Sequence, residues 1–476
     1  MRIFNTLSGR IEDFVPQDDT VKMYVCGVTP YAPSHLGHAM SYIVFDTIRR
    51  YLEFRGYKVK YVQNFTDIDD KIITRANELN IPATELAERF SAQYLANMDD
   101  LNVIRANIYP KATEEIPKII EVIEGLIQKG HAYESDGDVY FRVTSDPEYG
   151  KLSHRNLDDM LAGARIEVSE SKEHPLDFAL WKAAKPGEPQ WQSPWGQGRP
   201  GWHIECSAMS IKYLSETIDI HGGGQDLIFP HHENEIAQSE SFTLAKPFVR
   251  YWLHNGLMQL GEDKMSKSSG RLVTISEALE RYSADALRLW VLSSHYRSPI
   301  TYSDEVLASM DRGVERLSRA AHVDIDDSAK SKMNAQPYRD KFIESMDDDF
   351  GTPQAIATLF DLARDINRGH DEGIHIGEAH KTLLELTEIL GLTLPGMPVG
   401  AELPHQVLND LANRHGLVPA EEADANSIVR MLIDRRAELR REKEWGRADQ
   451  IRNDLIDIGI TLEDTPQGTV WRHRKP

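Results

Sequence analysis

Apolar and polar residues alternate near the start of the chain, change to helical spacing, and then alternate again. Residues 21–26 alternate and end at Gly27, which predicts a strand running into a turn. From Ser34, an expected N-cap, apolar residues recur at helical spacing until Gly56, and residues 58–62 return to strand character. Strand, helix and strand in this order predict a βαβ unit with ligands at the carboxyl ends of parallel strands. Such a unit is typical of the first half of a nucleotide-binding fold.

The pattern loosens between about residues 108 and 200, which we interpret as an insertion. It contains an expected amphipathic helix over 116–129 and a strand over 137–141. A long, loop-rich stretch with Pro186, Pro189, Pro194 and Pro200 follows. Residues 196–201 match G-x-G-x-x-G, but they follow no predicted strand and contain a proline. We therefore expect a proline-rich loop there and no dinucleotide site.

Strand-like residues 217–220 resume the sheet, and the spacing is then helical from about 276 almost to 390. A Pro/Gly-rich linker at 391–398 precedes a short, charged, helical end of the chain. The predicted fold class is α/β, with an inserted domain, an α-helical domain and a small C-terminal domain. The expected bounds are 1–110 and 201–275 for the two halves of a Rossmann-like parallel-sheet domain, 111–200 for the insertion, 276–390 for the helical region, and 391–476 for the linker and C-terminal domain.

Composition narrows the class of protein. The 476 residues include 54 Lys and Arg against 75 Asp and Glu, a net charge of −21, and 41% are hydrophobic. This predicts a globular chain, and no apolar run approaches the roughly 18 residues of a membrane span. We expect a cytoplasmic protein because the sequence opens on no signal peptide. Two cysteines exclude a dense disulfide scaffold, and the acidic balance excludes a nonspecific nucleic-acid coat.

The local charge reverses near the end of the chain. Residues 435–476 contain 10 Lys and Arg against 8 Asp and Glu. The arginines around Trp445 combine phosphate contacts with a stacking surface, a combination used on unpaired RNA bases. The alternative is a charged, solvated helix.

Two segments have residue types suited to phosphate chemistry. His-Leu-Gly-His at 35–38 lies where the first strand gives way to its helix, and a helix N-terminus with a glycine is suited to holding ATP. Two surface histidines near a helix cap are the alternative. Lys-Met-Ser-Lys-Ser at 264–268 carries two lysines that suit a pyrophosphate leaving group, although alone it could be a solvated loop. No Gly-Lys pair is followed by Ser or Thr, which excludes a P-loop ATPase.

Residue types typical of a zinc site occur at a few positions. His231 and Glu235 are an i, i+4 pair on one expected helix face. Cys26 ends the first strand and Cys206 precedes a later strand of the same expected sheet, so both thiols could converge on that pair. His232 is a rival ligand, and two buried thiols without a metal are an equally good interpretation of the sequence.

Glycines after a strand are a further candidate for nucleotide binding. His221 and the glycines at 222–224 end a predicted strand, where backbone can approach adenosine closely, and Asp226 could accept ribose hydroxyls. A simple glycine turn is the alternative.

The motifs at 35–38 and 264–268 are together highly specific, and through them the chain resembles the class I aminoacyl-tRNA synthetases. Within that class it resembles the cysteinyl-tRNA synthetase family over essentially its whole length. The segments that carry this resemblance are V-C-G at 25–27, T-D-I-D-D-K at 66–71, G-W-H-I-E-C-S-A-M at 201–209, H-G-G-G-Q-D at 221–226, F-P-H-H-E-N-E at 229–235 and G-T-V-W-R at 468–472.

The resemblance implies that ATP and L-cysteine form cysteinyl-adenylate with release of pyrophosphate. The cysteinyl group would then pass to the 3′ adenosine of tRNA(Cys), first to its 2′-hydroxyl. It also implies one Zn²⁺ per chain and Mg²⁺ with ATP, and we expect a monomer without a membrane partner. The residues it implies for catalysis are His35, His38, Lys264 and Lys267, and those for ATP binding are His35, Gly37, His38, Asp226 and Lys267. Those implied for the amino-acid substrate are Gly27, Thr66 and Trp202, and those for the metal are Cys26, Cys206, His231 and Glu235. Those implied for the anticodon are Arg440, Trp445, Asp449 and Asp464.

A zinc site would explain how cysteine is told from serine. Zinc binds sulfur as thiolate, whereas a hydroxyl is a weaker ligand and far harder to deprotonate.

Two alternative functions stay open on the sequence. Residues 27–39 look somewhat closer to the ligases that join cysteine to an amino sugar in mycothiol synthesis, and a non-catalytic, zinc-stabilised RNA-binding relative would need the lysines of residues 264–268 only for packing.

Overall fold

The computed structural model of the chain describes residues 1–163, 172–260, 272–325, 332–395, 405–420, 423–458, 460–465 and 468–473. The chain divides into two compact units, Met1–Leu394 and Pro395–Pro476. Among the residues described, no helix combines the length and the apolar character needed to cross a bilayer.

The start of the chain forms the expected strand, helix and strand, and two strands precede them. The first two strands pair as an antiparallel hairpin, whereas the third and fourth are parallel neighbours. The elements are β1 (Arg2–Asn5), β2 (Arg10–Asp13), β3 (Thr20–Val28), α1 (Leu36–Phe54), β4 (Lys58–Phe65), α2 (Asp70–Leu79) and α3 (Ala83–Asp100). Strand β4 extends past the predicted end because its last five residues are buried.

Helix α1 begins differently from the prediction. Ser34 is not the N-cap; His35 is, and its ring accepts a hydrogen bond from the backbone N–H of Gly37. The carbonyl of Ser34 instead accepts a hydrogen bond from the N–H of Ile275. The prediction was wrong because this long-range backbone contact fixes Ser34 before the helix begins, and an imidazole nitrogen can cap as an oxygen does.

The insertion contains a five-stranded antiparallel sheet in the order β5-β6-β7-β9-β8. Its elements are α4 (Ile116–Gln128), β5 (Ala132–Ser135), β6 (Asp138–Phe141), α5 (Leu157–Gly163), β7 (Phe178–Ala183), β8 (Trp191–Ser193) and β9 (Gly196–Pro200). The expectation of a loop at 196–201 is therefore wrong. Gly198 is needed inside β9 because a Cβ there would lie 2.2 Å from the indole nitrogen of Trp181, and Pro200 stands at the strand end, where proline is tolerated.

The second half of the central sheet returns after the insertion. It comprises α6 (Trp202–Tyr213), β10 (Ile218–Gly224), α7 (Glu233–Thr243), β11 (Val249–Asn255) and the short β12 (Met258–Leu260), and a kinked helical turn, Ile228–His232, leads into α7. The sheet is parallel throughout, in the order β11-β10-β3-β4. The carboxyl ends of β3 and β10 thus lie side by side, with α6 and α7 close to them.

The helical region packs on the central sheet domain as part of the same compact unit. It comprises α8 (Ile275–Leu279), α9 (Ala284–Leu292), β13 (Ile300–Tyr302), α10 (Asp304–Ala321), α11 (Gln336–Asp347), α12 (Thr352–Asp371) and α13 (Gly377–Ile389). The strand β13 interrupts the helical pattern and pairs in parallel with β12. Arg288 on α9 is fully buried and forms an ion pair with Asp46 on α1.

The second unit has its own small core. It comprises α14 (His405–Arg414), α15 (Ala425–Arg441), α16 (Trp445–Asp457) and an antiparallel pair, β14 (Ile460–Thr465) and β15 (Gly468–His473). Buried leucines from each of the three helices meet in this core, among them Leu408, Leu432 and Leu455. The expected helical domain with a terminal strand-like piece is thus present.

Candidate metal centre and active site

Four buried side chains converge beside the carboxyl end of β3. Cys26, His231, His232 and Glu235 each offer a ligand atom, and these atoms all lie within 4.8 Å of one another. The Sγ of Cys26 lies 3.2 Å from Nε2 of His232 and 3.7 Å from Oε1 of Glu235. Nε2 of His231 lies 3.0 Å from the same Oε1. The i, i+4 pair therefore meets the thiol of the first strand, as the sequence suggested.

Cys206, on α6, lies just outside this set of four. Its Sγ is 3.9 Å from that of Cys26, and both thiols are free. Zinc–sulfur bonds of about 2.3 Å in a tetrahedron separate two thiolates by roughly 3.8 Å. The same bond geometry separates sulfur from nitrogen or oxygen by roughly 3.6 Å. The donor types present suit a zinc ion, and the distances from Cys26 to Cys206 and to Glu235 are those of neighbouring tetrahedral ligands, whereas His231 and Glu235 lie at hydrogen-bond distance from each other.

Three further histidines surround these residues, and sequence patterns did not single out their contacts. Nδ1 of His203 lies 2.9 Å from Nδ1 of His231, and a nitrogen of His254 lies 2.8 Å from Nδ1 of His232. His221, considered above for adenosine, instead places Nε2 2.9 Å from Glu235 and is fully buried. These contacts join β10, β11 and α6 to α7 and the turn before it, so sequence spacing gives no sign of them. Such outer contacts orient metal ligands.

The buried side chains of this cluster strongly shift one another's pKa values. Burial opposes charge on His231, but the Glu235 carboxylate raises the pKa of His231 to about 10. Burial would raise the pKa of Glu235, yet His221 and His231 lower it to about 2. A hydrogen bond from Cys26 is the main cause that lowers the pKa of Cys206 to about 6, whereas burial raises the pKa of Cys26. One thiol of the pair is thus readily deprotonated, and thiolate is the form that binds metal.

The expected substrate residues lie around this cluster. Trp202 is 39% exposed, so it is no core tryptophan, and its ring stacks on His231 with centroids 4.3 Å apart. Thr66 is buried at the end of β4, where its hydroxyl accepts a hydrogen bond from Asn64. Gly27 is required sterically, because a Cβ there would lie 1.5 Å from the carbonyl oxygen of Asn64.

The segment at 35–38 is built to present two imidazoles at a helix N-terminus. The rings of His35 and His38 stack with centroids 3.9 Å apart. Nδ1 of His35 accepts from the N–H of Gly37, and Nδ1 of His38 accepts from the N–H of His35. Burial lowers the pKa of both rings, that of His38 to about 3. Each neutral ring therefore carries its proton on Nε2, where it can donate to an anion.

The glycines predicted at the end of a strand lie within β10, and Asp226 follows them. Asp226 is exposed, and a Cβ on Gly224 would lie 2.3 Å from its carboxylate. Lys264 and Lys267 lie outside the described residues.

The residues expected at the anticodon lie in the second unit. Arg440 is exposed near the end of α15, and Trp445, 55% exposed, begins α16, on which Asp449 is also exposed. Asp464 belongs to β14, and its side chain lies outside what the structure describes.

Comparison with known protein families shows the family to which the chain belongs. Residues 14–312 match the tRNA synthetases class I (C) catalytic domain, and residues 341–394 match the DALR domain. Residues 422–472 match the cysteinyl-tRNA ligase anticodon binding domain. The chain belongs to the cysteine-tRNA ligase family. It is a class I aminoacyl-tRNA synthetase that joins cysteine to tRNA.

Curated relatives support this over the full length. A cysteine-tRNA ligase of Dehalococcoides mccartyi is 57% identical over 99% of both chains. Those of Geobacter sulfurreducens and Thermodesulfovibrio yellowstonii are 49% and 47% identical over 99% of both chains. The amino-sugar ligase is not favoured because residues 422–472 match the anticodon binding domain, and the non-catalytic relative is not favoured because the full-length relatives are cysteine-tRNA ligases.

Solved structures confirm the fold. Two structures of Mycobacterium tuberculosis methionyl-tRNA synthetase with methionyl-adenylate give TM-scores of 0.58 and 0.56. They cover 84% and 86% of this chain, and 94% and 96% of those chains, at 17% and 16% identity. The cysteine-tRNA ligase fold is thus that of class I synthetases.

Proposed function

We propose that Cys26, Cys206, His231 and Glu235 hold one Zn²⁺ per chain. The donor types suit zinc, and the two sulfurs, 3.9 Å apart, have the spacing of neighbouring tetrahedral ligands. When bound, zinc would bind the substrate's sulfur as thiolate, which serine cannot match. The single observation that carries this proposal is the buried convergence of these side chains beside β3.

His231 is the better ligand than His232. Trp202, which is partly exposed, stacks on His231, so this histidine lies toward the side from which a small molecule can enter. Both histidines are buried, and each has its Nδ1 against another histidine, His203 for His231 and His254 for His232, so the contact with Trp202 is what distinguishes them. Nε2 of His232 is 3.2 Å from Cys26, a distance at which it can donate to a thiolate. We assign His232 an orienting role.

Gly27, Thr66 and Trp202 would hold the cysteine substrate next to the metal. ATP would lie at the N-terminus of α1, with the Nε2–H groups of His35 and His38 donating to phosphate and Gly37 allowing close approach. Asp226, exposed after β10, would accept the ribose hydroxyls. Mg²⁺ would accompany ATP, and Lys264 and Lys267 would stabilise the charge that develops as pyrophosphate leaves.

The substrate carboxylate would attack the α-phosphate, forming the adenylate as the bond to pyrophosphate breaks. The 2′-hydroxyl of the tRNA 3′ adenosine would then attack the carbonyl carbon and release AMP. These steps need mainly positioning and electrostatics from the chain.

Residues 391–476 would read the anticodon, with Arg440, Trp445, Asp449 and Asp464 as contacts. Exposed tryptophan and arginine together suit unpaired bases and their phosphates. Residues 111–200 would form the inserted domain between the halves of the catalytic domain, 1–110 and 201–275. Residues 276–390 would form a helical bundle that contacts the tRNA stem. We further propose that the enzyme works as a monomer in the cytoplasm.

Metal analysis combined with two assays tests the proposal. Cys206→Ser and His231→Gln should lose zinc and cysteine-dependent exchange of pyrophosphate into ATP. His232→Gln should keep zinc but bind it roughly 10–100-fold more weakly, the scale for an outer-layer residue. Full zinc and unchanged cysteine affinity in Cys206→Ser would refute the ligand set. Transfer of labelled cysteine is measured with tRNA and, separately, with an amino-sugar acceptor, and we expect transfer to tRNA.

Lys267→Ala tests the assignment of the lysine-containing segment at 264–268. Loss of one electrostatic contact to the transition state should slow adenylate formation roughly a hundredfold. Cysteine affinity should change little, because cysteine would be held at the metal. The opposite pattern, weak cysteine binding at an unchanged single-turnover rate, would exclude this role.

A further inference from the structure

An ion cluster joins the start of helix α2 to the sheet of the inserted domain. The carboxylate of Asp70, the first residue of α2, contacts the guanidinium of Arg199 on β9. The same carboxylate lies 2.8 Å from Nζ of Lys182 on β7. Nε of Arg199 also lies 3.2 Å from a carboxylate oxygen of Glu188. Two cations of the inserted sheet therefore meet a carboxylate of the helix that follows β4.

The register of the inserted sheet brings both cations to Asp70. Lys182 and Arg199 are direct partners in the antiparallel pair of β7 and β9, so their side chains leave the same face of the sheet. Like charges in this relation repel each other, and an anion beside both of them offsets the repulsion. Arg199 is 3% exposed, and a buried guanidinium needs acidic partners. The contact with Asp70 thus follows from the strand pairing.

The two members of the Asp70–Arg199 pair lie close in sequence to residues proposed to hold cysteine. Thr66 comes four residues before Asp70, in the segment 66–71, and Trp202 comes three residues after Arg199. Thr66 follows the end of β4, whereas Trp202 begins α6. The ion pair therefore joins the segment that carries one substrate residue to the segment that carries the other.

Each of these two short segments is held firmly by its own neighbours. On the side of β9, the N–H of Gly201 donates to the carbonyl of Leu180 on β7 at 2.8 Å. On the side of α2, Asp67 accepts hydrogen bonds from the N–H and the hydroxyl of Thr113, at 3.0 and 2.6 Å. Each substrate residue is thus tied to its own member of the ion pair, and the pair contributes to the distance between them.

We propose that the Asp70–Arg199 pair sets the spacing between Thr66 and Trp202 and so positions the cysteine substrate. This inference rests on the proposed function, which places Thr66 and Trp202 at the substrate. Asp70 and Arg199 are positioning residues that act through those two side chains. A displacement of about 1 Å in a substrate-binding group can cost about a hundredfold in activity, so a contact outside the pocket can matter to it.

The test compares Asp70→Asn with the unchanged enzyme, both full-length and zinc-loaded, in cysteine-dependent exchange of pyrophosphate into ATP. Asparagine keeps the size of the side chain and an oxygen that accepts from the guanidinium, but it removes the charge. The KM for cysteine should rise at least about threefold, a small part of the roughly hundredfold scale of a 1 Å displacement. The KM for ATP should not change, and Asp70→Glu, which keeps the charge, should restore most of the loss.

Glu173→Gln is a matched control for Asp70→Asn. Glu173 pairs with Arg142 in the same inserted domain and is 53% exposed, against 55% for Asp70, but it is not close in sequence to a residue proposed at the substrate. It should leave both KM values unchanged. Arg199→Lys keeps a positive charge beside Glu188 and removes the planar fork. Combined with Asp70→Asn, it should raise the KM for cysteine by less than the product of the single effects, because both variants weaken one contact.

An unchanged KM for cysteine in folded, zinc-loaded Asp70→Asn would overturn the inference. Equal rises in the KM for cysteine and for ATP, or an equal rise in Glu173→Gln, would also overturn it, because they indicate a general loosening of the fold. Trp202→Ala, measured in parallel, separates the two proposals. If Trp202→Ala raises the KM for cysteine and Asp70→Asn does not, the substrate site stands and the positioning role is wrong. If neither variant raises it, the proposed substrate site is wrong as well.

Discussion

The ring of Trp202 stacks on that of His231 at 4.3 Å between centroids, which places an exposed aromatic surface directly against a buried candidate metal ligand. The two residues come from the start of α6 and the turn before α7. A substrate that contacts Trp202 would therefore lie close to the candidate metal-binding residues.

Trp202→Ala should raise the KM for cysteine in pyrophosphate exchange by roughly three- to tenfold, the range for losing one aromatic stacking contact. The KM for ATP should change little, because the residues proposed to bind the ATP phosphates lie at the N-terminus of α1. Trp202→Phe should fall in between, since it keeps a ring. Zinc content is measured in each variant. A KM for cysteine that is unchanged in the fully zinc-loaded alanine variant would remove Trp202 from the substrate site.

The pKa of His38 gives a pH prediction. Burial lowers it from 6.5 to about 3, with a smaller contribution from His35. Below about pH 6.5 the unfolded chain takes up a proton at this histidine while the folded chain does not, so stability falls as pH falls toward 3.

His38→Gln removes this titration and keeps a side chain able to accept from the His35 backbone N–H. The free energy of unfolding of both proteins is measured with urea at about pH 7 and about pH 5. The stability of the variant relative to the unchanged enzyme should increase as the pH falls. A difference that is constant with pH would show that His38 titrates normally in the folded enzyme.

The sequence predicted those parts of the fold that local pattern controls. Alternation and helical spacing located β3, α1 and β4 to within a few residues, and the helix at 116–129 matches α4. Strand β9 was missed because its glycines and proline are tolerated only through its pairing with β7. The prediction of Ser34 as the N-cap was wrong for a similar reason, since a long-range backbone hydrogen bond from Ile275 fixes that residue.

The candidate site was predictable where residue types are diagnostic and not where contacts are long-range. Two cysteines and an i, i+4 His–Glu pair suggested a zinc site from sequence alone. Spacing left His231 and His232 as rival ligands, and our proposal of His231 depends on the stacking of Trp202 on its ring, a contact that no local pattern reveals. Two buried charges in the helical region also depend on long-range contacts: Arg288 is a fully buried cation, and Asp285 accepts from the N–H groups of Thr393 and Leu394.

Arg288→Met should destabilise the first unit by about 3–5 kcal/mol, because it leaves Asp46 buried with only Arg50 as a cationic partner. The guanidinium also donates to the carbonyls of Leu101 and Leu390, which would lose their partner. Urea unfolding measures the change. Arg75→Met, at an exposed pair with Glu78, is the control and should cost less than about 1 kcal/mol. Equal losses in both variants would mean that the buried pair contributes no more than a surface one.

Truncation after Leu394 should separate the two activities of the enzyme. The compact unit Met1–Leu394 contains the candidate metal-binding residues and the segment at 35–38, and its last residues are anchored when Asp285 accepts from Leu394. Cysteine-dependent pyrophosphate exchange should therefore stay within about twofold, whereas tRNA charging should fall at least about a hundredfold, as expected from losing several RNA contacts at once. Circular dichroism and zinc content, recorded beside both assays, establish that the truncated chain is folded. A folded, zinc-loaded fragment that charges tRNA as efficiently as the full chain would show that residues 395–476 do not read tRNA.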